Sequence, residues 1–446
     1  MKIHFIGIGG IGISALAKYY LYQGNEISGS DLSYPLDVFS KEEFEKIKFF
    51  LGHNEKNINQ NIDLIIYSLA VKKNNPEILK GKKINIPILS YPQALGKLTQ
   101  NYFTIAVSGM HGKSTTTAMV AQILIEARFD PVVIIGSKVK NFGFNGGESN
   151  FRYGKSNYLI IEADEYKAGF LNYHPNILVI TNIEAEHLDY YKNLNNIIKT
   201  FSKLILNLKG DKKYLIINRD DQGLKTFIKK NENLIKKNKI ILKPYGLKDN
   251  QKEKIKLNIP GKHNISNALA SLRVAEILNI KKNVALKALK KFKGIWRRFE
   301  YKGKINGAKI FDDYGHHPTE IKSTLQAAYE ILPIGGRLFI VFQPHQYYRT
   351  FYHFSEFIHA FDLADYVVIL DIYTVAGRES KKIMKLVNSQ KLVTEIKKHK
   401  KNVIYLPSFD SVIYFLKKKL KEKDICLIMG AGDIYKLTEK LFKYRI

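Results

Sequence analysis

Residues 2–12, Lys2-Ile-His-Phe-Ile-Gly7-Ile-Gly9-Gly10-Ile11-Gly12, decide how the chain begins to fold. The strand-length run Lys2–Ile6 passes into glycines spaced G-x-G-x-x-G, and a helical pattern follows near Ile11–Gln23. Glycines at such a strand-to-helix turn let the backbone approach a diphosphate, and the helix N-terminus adds N–H donors and positive potential. Ser30 and Asp31 come next, with Asp31 19 residues after Gly12, where an acidic side chain can bond ribose hydroxyls. Alone, the motif suits a nicotinamide, a flavin or another nucleotide diphosphate, and an unliganded tight turn competes with all three.

A second glycine loop, Gly109-Met110-His111-Gly112-Lys113-Ser114-Thr115, follows the apolar run Phe103–Val107 and precedes another helical pattern. Lys113 is placed to reach β- and γ-phosphates, and the Ser114 hydroxyl to ligate Mg²⁺. Only two residues separate Gly109 from Gly112, so the strict G-x-x-x-x-G-K-[ST] spacing is not met. Further ligands then appear at successive strand ends, in Glu162-Ala-Asp164-Glu165 and in Thr181-Asn182-Ile-Glu184-Ala-Glu186-His187. Strand ends are where open α/β sheets bind ligands, and hydroxyl and carboxylate oxygens suit Mg²⁺.

Working outward, strands alternate with helices in three segments, which predicts an α/β chain of three domains, each a largely parallel sheet with flanking helices. The boundaries fall at 1–98 for a Rossmann-like domain, 99–294 for a central ATPase-like domain, and 295–446 for a second Rossmann-like domain. Strands are expected at Asp63–Tyr67, Val132–Ile135, Tyr158–Ile161, Leu178–Thr181, Tyr214–Ile217, Lys309–Phe311, Arg337–Phe342, Val367–Leu370, Val403–Tyr405 and Cys426–Met429. Helices are expected at Thr319–Ile331 and Ser411–Lys421, with a loop running into a helix over Gly261–Leu278.

The 446 residues carry a net charge of +30, of which the basic part is 61 Lys and only 10 Arg scattered along the chain. A nucleic-acid reader favours Arg, a basic stripe and a recognition module, so no specific nucleic-acid partner is expected. Anionic substrates would be drawn in. The single cysteine, Cys426, excludes an intramolecular disulfide and a cysteine-rich zinc site. Apolar runs are too short to cross a bilayer, and the strand-and-glycine pattern at the first residues leaves no signal peptide, so a cytoplasmic protein without membrane insertion is expected.

The pieces GIGGIG with Gly29-Ser30-Asp31, GMHGKSTTT, EADE, TNIEAEHLD, GKHNISNALA, RRFE, DDYGHHPTE and FQPH together resemble the Mur ligases, which build the peptide of peptidoglycan, over essentially the whole chain. The last two pieces point to the member that acts on L-alanine rather than to later ligases or to the one that recycles a ready-made tripeptide. The resemblance implies ATP and Mg²⁺ as cofactors, UDP-N-acetylmuramate and L-alanine as substrates, and a monomer or weak homodimer. By the same resemblance, Gly9, Gly10, Ile11, Gly12, Ser30, Asp31, Ser68 and Ala70 would hold the nucleotide sugar. Gly109–Thr115 would hold the triphosphate, with Ser114 and Glu162 on one Mg²⁺ and His187 on a second. His263, Asn264 and Asn267 match the family's adenine-side H-N-x-x-N, Arg298 its hinge arginine, and Asp313 an aspartate on the ATP side. Tyr314, His316, His317, His345 and Arg349 would line the place where amino acid and muramoyl carboxylate meet, one histidine accepting the amine proton. Domain closure would bring the reacting atoms together and expel water.

Simpler roles compete residue by residue. Arg297 can serve a salt-bridged hinge, and one of His316 and His317 is expected to cap the helix that begins at Pro318. Met110, Glu186 and Gln346 depart from the commonest family residues, and so does the segment 372–379. Gln346 stands where an arginine is usual, so Arg349 and the basic field are expected to replace its anion contact.

Overall fold

The structure is a computed structural model and describes residues 1–375, 379 and 381–443. Residues 376–378 of the departing segment 372–379, and 444–446 at the end of the third expected domain, lie outside the described residues. Three largely parallel sheets account for the α/β architecture read from the sequence. In the first, β1 (Lys2–Ile6), β2 (Glu26–Asp31), β3 (Ile47–Leu51), β4 (Leu64–Tyr67) and β5 (Ile88–Ser90) take the order β3-β2-β1-β4-β5, all parallel.

The second sheet has seven strands: β6 (Phe103–Ser108), β7 (Val132–Val139), β8 (Ser149–Arg152), β9 (Tyr158–Glu162), β10 (Ile177–Ile180), β11 (Lys213–Asn218) and β12 (Ile240–Tyr245). Their order is β12-β11-β10-β6-β9-β7-β8, with β8 antiparallel to β7 at one edge. The third sheet contains β13 (Glu300–Ile305), β14 (Ala308–Asp313), β15 (Leu338–Phe342), β16 (Tyr366–Ile369), β17 (Val403–Tyr405) and β18 (Ile425–Met429). It runs β13-β14-β18-β15-β16-β17, and only the edge strand β13 is antiparallel to its neighbour among these pairings.

Central strands such as β10 and β18 are buried along their whole length, as parallel strands covered on both faces must be. Cys426 sits in β18 with no exposure, and burial pushes its thiol pKa up. The chain packs as two compact units. One comprises Met1–Glu186, Tyr190–Lys256 and Ser266–Ile295 and holds the first two sheets. The other comprises His187–Asp189, Leu257–Ile265 and Trp296–Ile446 and holds the third.

Within the first unit, the helix Ile11–Tyr22 joins the two sheets. Seven of its residues from Ile13 to Tyr19 are buried, including Lys18. The Lys18 ammonium donates to Ser149 Oγ at 2.9 Å and Asn150 Oδ1 at 3.0 Å, both on β8, and lies 3.5 Å from Glu43. Asn150 returns two bonds through Nδ2, to Ser14 Oγ at 2.9 Å and to the Ile11 carbonyl. A buried lysine is tolerable only when its charge and donors are met in this way; burial still lowers its pKa despite Glu43. No helix among the described residues is long and apolar enough to cross a membrane.

Candidate functional site

Many of the sequence-predicted residues follow the C-terminal ends of strands in their own sheets, while His263, Asn264 and Asn267 lie on the helix Lys262–Ile277. After β1, the loop Gly7–Gly10 turns into the helix Ile11–Tyr22. The Ser30 carbonyl at the end of β2 accepts the N–H groups of Gly7 (2.8 Å) and Ile8 (3.1 Å), and Asp31 Oδ2 accepts that of Gly9 (2.8 Å). Asp31 Oδ1 accepts the Leu32 N–H at 2.7 Å, so both carboxylate oxygens bond backbone. The first turn of a helix leaves its amides without intrahelical acceptors, here those of Ile11, Gly12 and Ile13, which is the donor set a diphosphate requires. Ser68 follows β4 and packs on the loop, its Cβ 3.1 Å from where a Cβ on Gly7 would stand, and its hydroxyl accepts the Ala70 N–H at 3.3 Å. The Ser30 hydroxyl is buried and faces away from the loop, bonded to Glu77 and His53.

At the edge of the second sheet, Gly109 and Gly112 adopt φ of +126° and +80°. A Cβ on Gly112 would also stand 2.5 Å from Asn267 Oδ1, so only glycine fits there. Asn182 shapes the loop: its Oδ1 accepts the N–H groups of Met110 and His111 at 2.9 Å each, and its Nδ2 donates to the His111 carbonyl at 2.9 Å. The Thr181 hydroxyl donates to the same carbonyl at 2.6 Å. Ser114 and Thr115 open the buried first turn of the helix Lys113–Glu126.

Lys113 Nζ folds back to the Gly109 carbonyl (2.7 Å) and pairs with Glu165 Oε2 (2.9 Å), a carboxylate 1% exposed. Burial alone would lower the pKa of this ammonium, but Glu165, Asp164 and Glu162 outweigh it and raise it, so the charge is held. Glu162, at the end of β9, accepts the Gly136 N–H at 2.9 Å and a bond from the Ser114 hydroxyl. Burial raises its pKa in spite of Lys113. Ser114 and Glu162 therefore form a touching pair of oxygen ligands, the hydroxyl and carboxylate set that fits a hard divalent cation. His111 Nε2 lies 3.5 Å from Glu184, and Asp221 caps the next turn by accepting the N–H groups of Leu224 and Ile183.

The second unit carries the remaining candidates. Asp313 ends β14 and accepts the N–H groups of Phe299 (2.8 Å) and Gly315 (2.7 Å). Burial pushes its pKa up to about 6 although Arg298 and these amides pull it down. Arg298 Nη1 pairs with Glu320 Oε1 at 3.2 Å. Arg297 is buried and spent on structure, donating to Asp312 Oδ1 (3.1 Å) and to the carbonyls of Gly430 and Gly432. His317 is the N-cap of the helix Pro318–Glu330, its Nδ1 accepting the Thr319 N–H at 3.3 Å, while Glu320 accepts the N–H groups of His316 and His317.

Tyr314, His316 and His345 form a chain of ring contacts, with centroids 5.6 Å and 5.8 Å apart, and His345 stacks on Tyr373. Arg349 is buried and donates from Nη1 to His345 Nδ1 and to its carbonyl, 3.1 Å each. Gln346 beside it takes φ +70°, with its N–H bonded to the Tyr373 carbonyl at 2.9 Å. His263 is half-buried, and burial, with Arg298 adding, lowers its pKa to about 4, so it is neutral at physiological pH. Asn264 caps backbone by donating to the Pro260 carbonyl at 2.6 Å. His187 carries a left-handed φ of +53°.

Sequence reasoning did not single out Asn182, Glu165 as the partner of Lys113, Glu320 or Glu77. The first two lie inside segments read for metal ligands, but nothing in a strand-end acid or amide tells which loop it will face.

Residues 2–103 match the description Mur ligase family, catalytic domain; 107–275 match Mur ligase middle domain; and 297–432 match Mur ligase, glutamate ligase domain. The chain is 42% identical to a UDP-N-acetylmuramate–L-alanine ligase of Clostridium acetobutylicum, covering 98% of this chain and 96% of that one. It is 40% identical to the enzyme of that name from Acetivibrio thermocellus, covering 99% and 95%. Among solved structures, the UDP-N-acetylmuramate–alanine ligase MurC of Thermotoga maritima superposes with a TM-score of 0.76 at 26% identity, covering 99% and 98%. The chain therefore belongs to the Mur ligase family.

Proposed function

We propose that this chain is the ATP-dependent ligase that joins L-alanine to the carboxylate of UDP-N-acetylmuramate, releasing ADP and phosphate, in peptidoglycan precursor synthesis. The observation that carries this reading is similarity at 40–42% identity along the full length of ligases of that name. The charge-holding Lys113 loop and the diphosphate loop at β1 supply the matching chemistry. A reaction on these two nucleotides belongs in the cytoplasm.

A carboxylate is a poor acylating agent because its leaving group would be oxide. Its oxygen attacks the γ-phosphorus of ATP, ADP departs, and the acyl phosphate so formed can expel phosphate instead. The neutral amine of alanine adds to the acyl carbon, loses a proton, and the tetrahedral intermediate collapses to amide and phosphate. On the first unit, the amides of Ile11–Ile13 bind the nucleotide sugar, and Lys113, released from Glu165, meets phosphoryl charge. Ser114 and Glu162 would hold Mg²⁺, which supplies neutralisation of that charge when bound. On the second unit, Arg298 and Asp313 serve the nucleotide, and Arg349 the anionic sugar acid.

His316 is the proton acceptor we favour. Its Nδ1 stands 3.1 Å from the Tyr314 carbonyl and so carries the hydrogen, leaving Nε2 as the basic nitrogen. His345 has the opposite tautomer because its Nδ1 accepts from Arg349, and His317 is occupied as an N-cap. Phosphate release should require UDP-N-acetylmuramate, ATP and Mg²⁺ together with L-alanine. A panel of amino acids and the murein tripeptide tests this, and preference for the tripeptide would replace the reading with the recycling reaction.

A further inference from the structure

The first sheet buries a carboxylate that the reaction does not use. Glu77 lies in the first turn of the helix Pro76–Lys83 and has no exposure. The next residue, Ile78, packs with Ile6, Ile58, Ile62, Ile65 and Ile86, so the fold has aliphatic surroundings ready at this point. An ionised carboxylate in such a place is costly unless every lone pair is engaged. Here it is engaged: Oε2 accepts the Ser30 hydroxyl at 2.6 Å and faces His53 Nδ1 at 3.1 Å, while Oε1 accepts Asn57 Nδ2 at 2.6 Å and lies 3.6 Å from His4 Nε2. Burial works to raise its pKa, but the nearby His4 and bonds from Ser30 and Asn57 outweigh this and hold it below the ordinary carboxylate value.

The partner that matters is Ser30. Its hydroxyl points into this network, while its carbonyl accepts the first two amides of the glycine loop, Gly7 and Ile8. Asp31, the next residue, fixes the third, Gly9. The loop thus bonds to Ser30–Asp31, and Ser30, paired in the sheet with Ile6 and Phe50, has its hydroxyl held by Glu77.

We propose that Glu77 is a positioning residue for nucleotide-sugar binding, holding Ser30 so that its carbonyl presets the Gly7–Gly12 loop for the diphosphate. This rests on reading that loop as the site of the UDP diphosphate. Glu77→Gln keeps the shape but turns an NH₂ toward donors. In the full-length enzyme it should raise KM for UDP-N-acetylmuramate roughly tenfold or more, with kcat and the KM values for ATP and L-alanine within about twofold.

Ser30→Ala should give the same pattern, and adding Glu77→Gln to it should cost less than about twofold more, because both changes break one connection. A KM that moves less than about twofold in Glu77→Gln, with only the melting temperature lowered, overturns the proposal, as does an equal loss for all three substrates. Gly9→Val separates the two layers. If it raises KM for the nucleotide sugar and Glu77→Gln does not, the positioning role alone fails; if neither does, the reading of the loop fails with it. Should Glu77→Gln not fold, Asn57→Ala removes one donor at a half-buried position, and the same KM, read there, decides at a threshold of about threefold.

Discussion

Single residues at the strand ends hold protons and charges in unusual states. Asp313 is the clearest case, with a pKa of about 6 caused by burial. A carboxyl raised above its unfolded value of about 3.9 keeps its proton in the folded protein after the unfolded chain has released it. Its contribution to stability is therefore lost as pH rises through the window from about 4 to 6. Relative to Asp313→Asn, the wild-type melting temperature should fall between pH 4.5 and 6.5; a flat difference curve would mean that Asp313 is ionised throughout.

At this scale the sequence was legible where a motif encodes a local loop, as for the glycine turn that opens the helix at Lys113 and Ser114, whereas Asp313 was expected only from the family resemblance. It was silent on Glu165, Asn182, Glu320 and Glu77, whose respective partners Lys113, Met110, Arg298 and Ser30 are brought from 22 to 72 residues away by sheet pairing or packing. That one of His316 and His317 caps the helix was legible from Pro318 at its first turn, but which of the two was not; it is His317.

Elements divide in the same way. Apolar runs such as β6, β10 and β18 announce themselves, whereas β2 (EISGSD), β8 (SNFR) and β13 (EYKGKI) are too polar or glycine-bearing to read as strands. Their positions explain this: β13 is a largely exposed antiparallel edge strand, β8 is a buried edge strand whose Ser149 and Asn150 meet Lys18, and β2 turns Ser28 and Ser30 toward His4 and Glu77. Yet β8 carries Asn150, whose amide satisfies Lys18 and the start of the first helix at once. Removing it in Asn150→Ala strands buried donors and acceptors and should cost about 1–3 kcal/mol in urea unfolding. A cost below about 0.5 kcal/mol would show that water replaces the amide without loss.

The molecule as a whole carries a net charge of +30 and acts on anions. Association with the nucleotide sugar should therefore be steered, so kcat/KM should fall several-fold between about 20 and 300 mM KCl while kcat stays nearly constant. A salt-independent kcat/KM would show that the lysines only solvate the surface. The whole-molecule plan was the most legible level, because three successive strand–loop–helix patterns each announce a sheet; the division into two packed units was not, since it depends on how the first helix meets β8. One last property follows from the central strand of the third sheet. Because the sole thiol, Cys426, is sealed inside β18 and held protonated, the native enzyme is already a blank background for maleimide chemistry. Fluorophores or spin probes attached to two engineered surface cysteines would report movement of the units during turnover without first stripping the chain of its own sulfur.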